Sequence, residues 1–110
     1  MINSKCKLLL SRLTKDLDLL FIIRENEANI DANGGKGISV REIAVKYENK
    51  FEREAYPDQI LQRLRGLQDR DLVFWDVARG NLKLFRLSKV VCVFLDEFEA
   101  AVGRLDGGES

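Results

Sequence analysis

The chain has 110 residues, the size of a single domain that can bury one hydrophobic core. It carries 18 lysine and arginine residues against 18 aspartate and glutamate residues, so the net charge lacks the strongly basic balance typical of many nucleic-acid-binding proteins. The charge is uneven along the chain, because residues 1–89 hold 17 basic and 13 acidic side chains and residues 90–110 hold 1 and 5.

The composition also argues against a catalyst. There is no histidine, no glycine-rich phosphate loop and no nucleophile motif, so we expect neither enzymatic activity nor a cofactor. Cys6 and Cys92 are too few for a disulfide framework and lack the spacing of a zinc site. Two buried thiols are the first interpretation, and a disulfide between the first and last helices is the alternative. No long apolar run or signal peptide is found, which indicates a cytoplasmic protein.

The first predicted helix covers about residues 4–26. Its leucines recur at helical spacing, and its apolar face is wider than the core of one small domain needs. The face includes Leu10, Leu13, Leu17 and Leu20. The polar, glycine-containing segment 27–37 then predicts a loop.

A very short strand is expected at 37–39, followed by a second helix. Ser39 is suited to cap that helix, and Glu42, three residues later, completes a capping box. The apolar stripe of the helix runs from Val40 to Tyr47. A connection of about nine residues, 48–56, leads to Pro57, which is favourable as the first residue of a third helix.

The third helix is predicted over 57–70 with a buried stripe and a polar outward face. Helical geometry places Asp58, Gln59, Gln62, Arg65, Gly66 and Asp69 outward, with Arg63 and Arg70 beside them. Strands at 73–77 and 82–87, joined by the tetrapeptide ARGN, predict a β-hairpin. A last helix is expected over about 90–105.

The order of these elements, and the passage LQDRDLVFWDVARGNLKLFRLSK from the third helix through the hairpin, resemble the winged-helix superfamily. The resemblance covers about residues 8–103. It implies a mainly α fold with a small β-hairpin (α+β), in which one domain spans 1–110. The winged helix-turn-helix core lies at about 38–89, between flanking helices at 4–26 and 90–105.

In DNA-binding members of this superfamily the third helix enters the major groove and the hairpin, or wing, contacts phosphates. The resemblance therefore implies double-stranded DNA as the partner of a small transcriptional regulator or a replication or plasmid-maintenance factor. Arginine and glutamine can bond the edges of guanine and adenine, and the other cations suit phosphates. The implied contacts are Ser39, Arg41, Gln59, Gln62, Arg63, Arg65, Arg79, Lys83 and Arg86.

Two features favour a different use of the same fold. Asp58 and Asp69 face outward, where phosphates would repel them unless they bond a cytosine amine or pair with arginine. Alternation along the hairpin directs one of Phe74 and Trp75 inward and the other outward, and an exposed Phe74 would indicate a protein interface. The alternative is accordingly a protein-interaction module, an adaptor subunit of a larger complex that does not bind DNA.

The wide apolar faces of the two flanking helices predict a homodimer. The expected interface consists of Leu10, Leu13, Leu17, Phe94, Phe98 and Val102. Packing of the first helix on the last within one chain is the alternative, because a small domain must cover much surface. A dimer would set two third helices about 34 Å apart on a palindromic site.

Overall fold

The computed structural model describes residues 16–32, 34–77, 80 and 82–107, with side chains to residue 101. Its elements in chain order are α1 (Leu17–Ala28), α2 (Val40–Phe51), α3 (Pro57–Asp69), β1 (Val73–Val77), β2 (Lys83–Leu87) and α4 (Lys89–Gly107). This order confirms the predicted α+β fold. Predictions for Cys6, Leu10, Leu13, Arg79 and the Val102 side chain lie outside the described part. Among the described helices, none is both long and apolar enough to cross a membrane.

Helix α1 forms the centre of the core. Every side chain from Leu17 to Ile23 is buried, and Phe21, Ile22 and Ile23 are fully enclosed. A helix that is apolar on all sides needs neighbours on all sides, and α1 packs against α2, β2 and α4. The apolar side chains in the described part of this helix are thus covered within the chain. This corrects the assignment of Leu17 to a dimer interface, because only 2% of that residue is exposed.

Helix α2 begins at the predicted cap and ends later than predicted. The Ser39 hydroxyl accepts a hydrogen bond from the Glu42 amide and donates one to the Glu42 carboxylate, both at 3.2 Å. The helix continues to Phe51, whose buried ring packs on Tyr47 with 4.9 Å between centroids. The connection to α3 is therefore 52–56 rather than 48–56. The extra turn forms because Phe51, four residues after Tyr47, extends the buried stripe.

Helix α3 buries Ile60, Leu64 and Leu67 and leaves Leu61 partly buried. Pro57 is its first residue, as predicted, where the missing N–H costs no helical hydrogen bond. The buried stripe packs on α2, and the end of α3 contacts β1. This packing directs the polar side of α3 away from the core.

The hairpin pairs β1 and β2 in antiparallel register, with Trp75 opposite Phe85 and Phe74 opposite Arg86. Phe85 is buried and Trp75 packs against the core, whereas Phe74 is 41% exposed on the other face. The predicted strand before α2 is a single β-bridge from Ile38 to Phe85. Its two hydrogen bonds, at 3.0 and 2.7 Å, tie the entrance of α2 to the hairpin.

Helix α4 packs on α1 through one side. Leu95 is fully buried, and the Phe98 ring lies 6.4 Å from that of Phe21. The other side carries apolar residues that the described chain leaves uncovered. Val90 is 79% exposed, Val93 49% and Phe94 58%.

Candidate nucleic-acid interface

The outward face of α3 carries the polar side chains that helical periodicity placed there. Gln59, Gln62 and Arg65 are exposed, and a Cβ atom added to Gly66 would meet no atom within 4 Å. Arg65 makes no ion pair with another described residue. These groups form a polar surface, open at Gly66, that two amide side chains and one guanidinium can use for hydrogen bonds.

Arg63 does not share this freedom. Its Nε donates to Asp16 Oδ1 at 2.6 Å, and its Nη2 donates to Asp18 Oδ1. Both carboxylates belong to the start of α1 and are almost completely buried. Burial alone would lower the pKa of Arg63, but the hydrogen bonds with Asp18 and Asp16 raise it overall. The structure therefore corrects the prediction for Arg63, whose guanidinium is bound within the protein.

Two further side chains complete this polar cluster. Arg70 Nη2 donates to Asp16 Oδ2 at 3.1 Å. The Tyr47 hydroxyl of α2 faces Asp18, and burial together with this carboxylate raises the pKa of Tyr47. We name the five residues, Asp16, Asp18, Tyr47, Arg63 and Arg70, the polar clamp, because they join α1, α2 and α3.

The cations of the hairpin are also engaged. Arg86 donates from Nε and Nη2 to the two carboxylate oxygens of Glu27, each at 3.1 Å. This bidentate pair raises the pKa of Arg86, and the guanidinium also lies 5.7 Å from the centroid of the Phe74 ring. Lys83 lies over Trp75 at 4.7 Å and makes no ion pair within the described residues. Of these two side chains, Lys83 is therefore the one without a carboxylate partner among the described residues.

The start of α2 contributes one exposed cation. Arg41 is exposed and has no ion-pair partner in the described ranges. Ser39 is 6% exposed, and its hydroxyl is used by the bonds with Glu42. The Ser39 side chain therefore caps the helix, and the contact of the Ser39 amide with a phosphate stays a prediction.

Carboxylates surround the amino-terminal end of α3. Asp58 is exposed in the first turn of α3, where a negative charge interacts favourably with the helix dipole. Asp69 is exposed at the opposite end, and neither aspartate forms an ion pair with a described residue. The connection before α3 carries Glu52 and Glu54, both exposed. The polar surface is consequently of mixed charge.

A cleft of about 610 Å³ lies between the end of α1, the hairpin and the start of α4. Its wall includes Arg24, which is paired with Asp96 and Glu99, as well as the Arg86–Glu27 pair. Cys92 also lines it, and burial raises the pKa of this thiol. Across the described ranges, no group of histidine, cysteine or acidic residues is arranged to hold a metal ion.

The sequence pattern did not predict that the two carboxylates of the polar clamp would be buried. Asp16 and Asp18 precede and begin a strongly apolar segment, DLDLLFII, and such acids suggest a helix start. The available signal was that Asp18 lies inside the apolar pattern, so that its burial required a cation. The sequence did not indicate which arginine would supply it.

A helix, a β-bridge, two further helices and a two-stranded hairpin in this order define the winged-helix fold, here with α4 added after the wing.

The whole arrangement is similar to the crystal structure of MepR, a transcription regulator of the Staphylococcus aureus multidrug efflux pump MepA. The TM-score is 0.63 at 13% sequence identity, and the match covers 94% of this chain and 70% of MepR. The likeness establishes a shared fold. No protein-family model and no curated protein sequence matches the chain.

Proposed function

We propose that the protein binds duplex DNA and acts as a small transcription regulator. The observation that carries the proposal is the exposed polar face of α3, which the rest of a winged-helix fold leaves free. A recognition helix needs such a face to enter the major groove. The likeness to a transcription regulator supports this use of the fold. A replication or plasmid-maintenance factor would use the same surface.

The chemistry of the face suits base edges. Gln59 and Gln62 can each bond adenine N6 and N7, and Arg65 can bond guanine O6 and N7 or a phosphate. Asp58 can accept a hydrogen bond from a cytosine amine. The proposed contacts are Gln59, Gln62 and Arg65 on α3, Arg41 on α2, and Lys83 and Arg79 on the wing.

The number of cations free to bind phosphates also determines how tightly the protein should bind DNA of random sequence. Because Arg63 and Arg86 are held by carboxylates, few guanidinium groups remain for phosphates. Affinity for random DNA rests on phosphate contacts and should be modest, while base contacts supply specificity. We expect binding to random duplex DNA to be weak, with a shallow dependence on salt, because few phosphates are neutralised.

Replacing Arg65 by alanine is expected to weaken DNA binding by about tenfold, because one contact to a base or phosphate is lost. Fluorescence anisotropy of labelled duplex DNA, titrated at about 50 and about 200 mM salt, measures the effect. If Arg65 binds a phosphate, the slope of log affinity against log salt should also fall by about one.

The matched control is Asp69→Asn, which removes an exposed negative charge from the same helix. This variant should bind DNA at least as tightly as the unmodified protein, because it reduces repulsion of phosphates. No binding by the unmodified protein at the lower salt, up to tens of micromolar, would contradict the proposed function.

A homodimer formed through α4 is the second part of the proposal. Val90, Val93 and Phe94 lie on one side of a helix about 28 Å long, and their exposure leaves a contiguous apolar stripe. A two-fold partner presenting the same stripe would cover it. Phe98, half-buried beside Phe21, lies at the edge of this stripe and retains a place in the proposed interface.

Changing Phe94 to glutamate is expected to convert a dimer into monomers, because it places a charge in the centre of an apolar interface. Sedimentation equilibrium measures the mass. Val45→Glu is the control, since Val45 is equally exposed, at 57%, but lies on α2. A monomeric mass for the unmodified protein at all accessible concentrations would refute the dimer.

The exposure of Phe74 favours a second candidate, a protein-interaction module. The ring is 41% exposed, and its neighbour Arg86 is committed to Glu27 rather than to a nucleic acid. Under this hypothesis Phe74 and the outer face of the hairpin bind a partner protein. Co-purification of a partner that Phe74→Ala releases, together with absence of DNA binding, would favour the adaptor over the regulator.

A further inference from the structure

The polar clamp lies at one edge of the proposed recognition face. At about 100° per residue, Arg63 and Arg70 project within about 20° of each other along α3. They lie between the buried position Leu67 and the outward positions Gly66 and Gln59. The clamp therefore holds α3 at the boundary between its buried and its exposed sides.

Two arginines, which differ in how far they are buried, attach α3 to the carboxylates at the start of α1. Arg63 bridges two carboxylates on α1, and its own side chain is 32% exposed against 2% and 3% for Asp16 and Asp18. Arg70, the residue that directly follows α3, reaches the same Asp16 carboxylate. A planar guanidinium bonded to two fixed acceptors resists rotation more than an apolar contact does, because its hydrogen bonds are directional.

The apolar contacts of α3 alone leave this rotation less well defined. Its buried stripe is narrow, with Ile60, Leu64 and Leu67 enclosed and Leu61 only partly so. A small rotation would change the burial of Leu61 at the edge of the stripe and displace the outward side chains together. The cost of burying two carboxylates is difficult to explain by stability alone, because well-packed apolar residues often do as well.

We propose that Arg63 is a positioning residue, which through Asp16 and Asp18 sets the rotation of α3 and thereby aims Gln59, Gln62 and Arg65. Its effect on DNA binding rests on the proposed function, but its effect on the helix does not. Asp16, Asp18 and Arg70 act with it as the acceptors and the second attachment.

Salt dependence separates positioning from direct contact. Arg63→Gln and Arg65→Gln remove the same charge from the same helix. If Arg63 positions the helix for contacts to base edges, Arg63→Gln should weaken binding about tenfold with an unchanged salt slope. A slope reduced by about one in Arg63→Gln would make Arg63 a phosphate ligand and overturn the proposal.

A measurement without DNA tests the same claim. Spin labels at cysteines introduced for Gln59 on α3 and Ala28 on α1, in a background of Cys6→Ser and Cys92→Ser, report the distance between the helices. Pulsed electron resonance should show a shifted or broadened distance distribution for Arg63→Gln. Arg63→Lys should recover it only in part, because one ammonium cannot match the planar fork.

The two measurements distinguish the possible failures. An unchanged distance distribution in Arg63→Gln overturns the positioning role, whether or not the protein binds DNA. Absence of DNA binding by the unmodified protein refutes the proposed function, and the distance measurement then still decides whether the clamp sets the helix. If Arg63→Gln fails to fold, Asp18→Asn, which keeps Arg63 but removes one of its two carboxylate partners, takes its place in the distance measurement, where a shifted or broadened distribution is again expected and an unchanged one overturns the proposal.

Discussion

Replacing Arg63 by alanine is expected to lower the free energy of unfolding by about 3 kcal/mol, at the lower end of the cost of breaking a buried ion pair. The loss arises because Asp16 and Asp18, each 2% exposed, would remain buried without this cation. The partial exposure of Arg63 lets water replace some of the interaction, which places the effect at the lower end. Chemical denaturation monitored by circular dichroism measures the change.

Arg65→Ala is the matched control for stability. Arg65 lies two residues away on α3, is exposed and has no ion pair with a described residue. Its replacement should change stability by less than about 0.5 kcal/mol. Equal stability of the Arg63→Ala variant and the unmodified protein would contradict our account that Arg63 compensates the buried charges of Asp16 and Asp18.

The second large effect is expected for Gly37→Ala, with a loss of about 2 kcal/mol from overpacking. An added Cβ would lie 2.6 Å from the carbonyl oxygen of Phe85 and 3.1 Å from the carbonyl carbon of Leu84. Both are backbone atoms of β2, which the bridge to Ile38 holds close. The methyl group would therefore push the hairpin away from the entrance of α2, and thermal unfolding should show the loss.

Gly66→Ala provides a control of opposite sign. Gly66 lies in α3, and a Cβ there would meet no atom within 4 Å. Alanine should increase stability by about 0.5–1 kcal/mol, because it reduces the backbone entropy of the unfolded chain. If both substitutions stabilise the protein, the close approach of β2 to Gly37 is not maintained in solution.

The elements with local signals were predicted well. Ser39 caps α2, Pro57 begins α3, and the strands on either side of the tetrapeptide ARGN pair as predicted, because each of these features depends on residues within a few positions. The end of α2 was misjudged because the polar stretch after Tyr47 resembles a loop. Phe51 continues the apolar stripe across that stretch, and its packing extends the helix.

The ion pairs around the candidate interface could not be predicted from neighbouring residues in the sequence. Arg63 meets Asp16 from 47 residues away and Arg86 meets Glu27 from 59 residues away, so nothing in the spacing pairs them. Helical periodicity correctly separated the two sides of α3. It could not reveal that an arginine at the edge of the outward face would turn to a buried carboxylate on another helix.

The width of an apolar helix face also did not distinguish packing within the chain from a dimer interface. Leu17 and Phe94 both looked like interface residues because each belongs to a helix with more apolar side chains than one stripe needs. The structure covers the apolar residues among 17–23 of α1 and leaves part of α4 open. Which helix occupies the centre depends on tertiary packing, and sequence periodicity carries no information about it.

An NMR titration of isotope-labelled protein with duplex DNA is the most direct test of DNA binding through α3. Our account predicts that amide signals of Gln59, Gln62 and Arg65 shift most, followed by those of Arg41 and Lys83, with α4 unaffected. Shifts centred on Phe74 and the outer face of the hairpin, or no shifts at low salt, would contradict it.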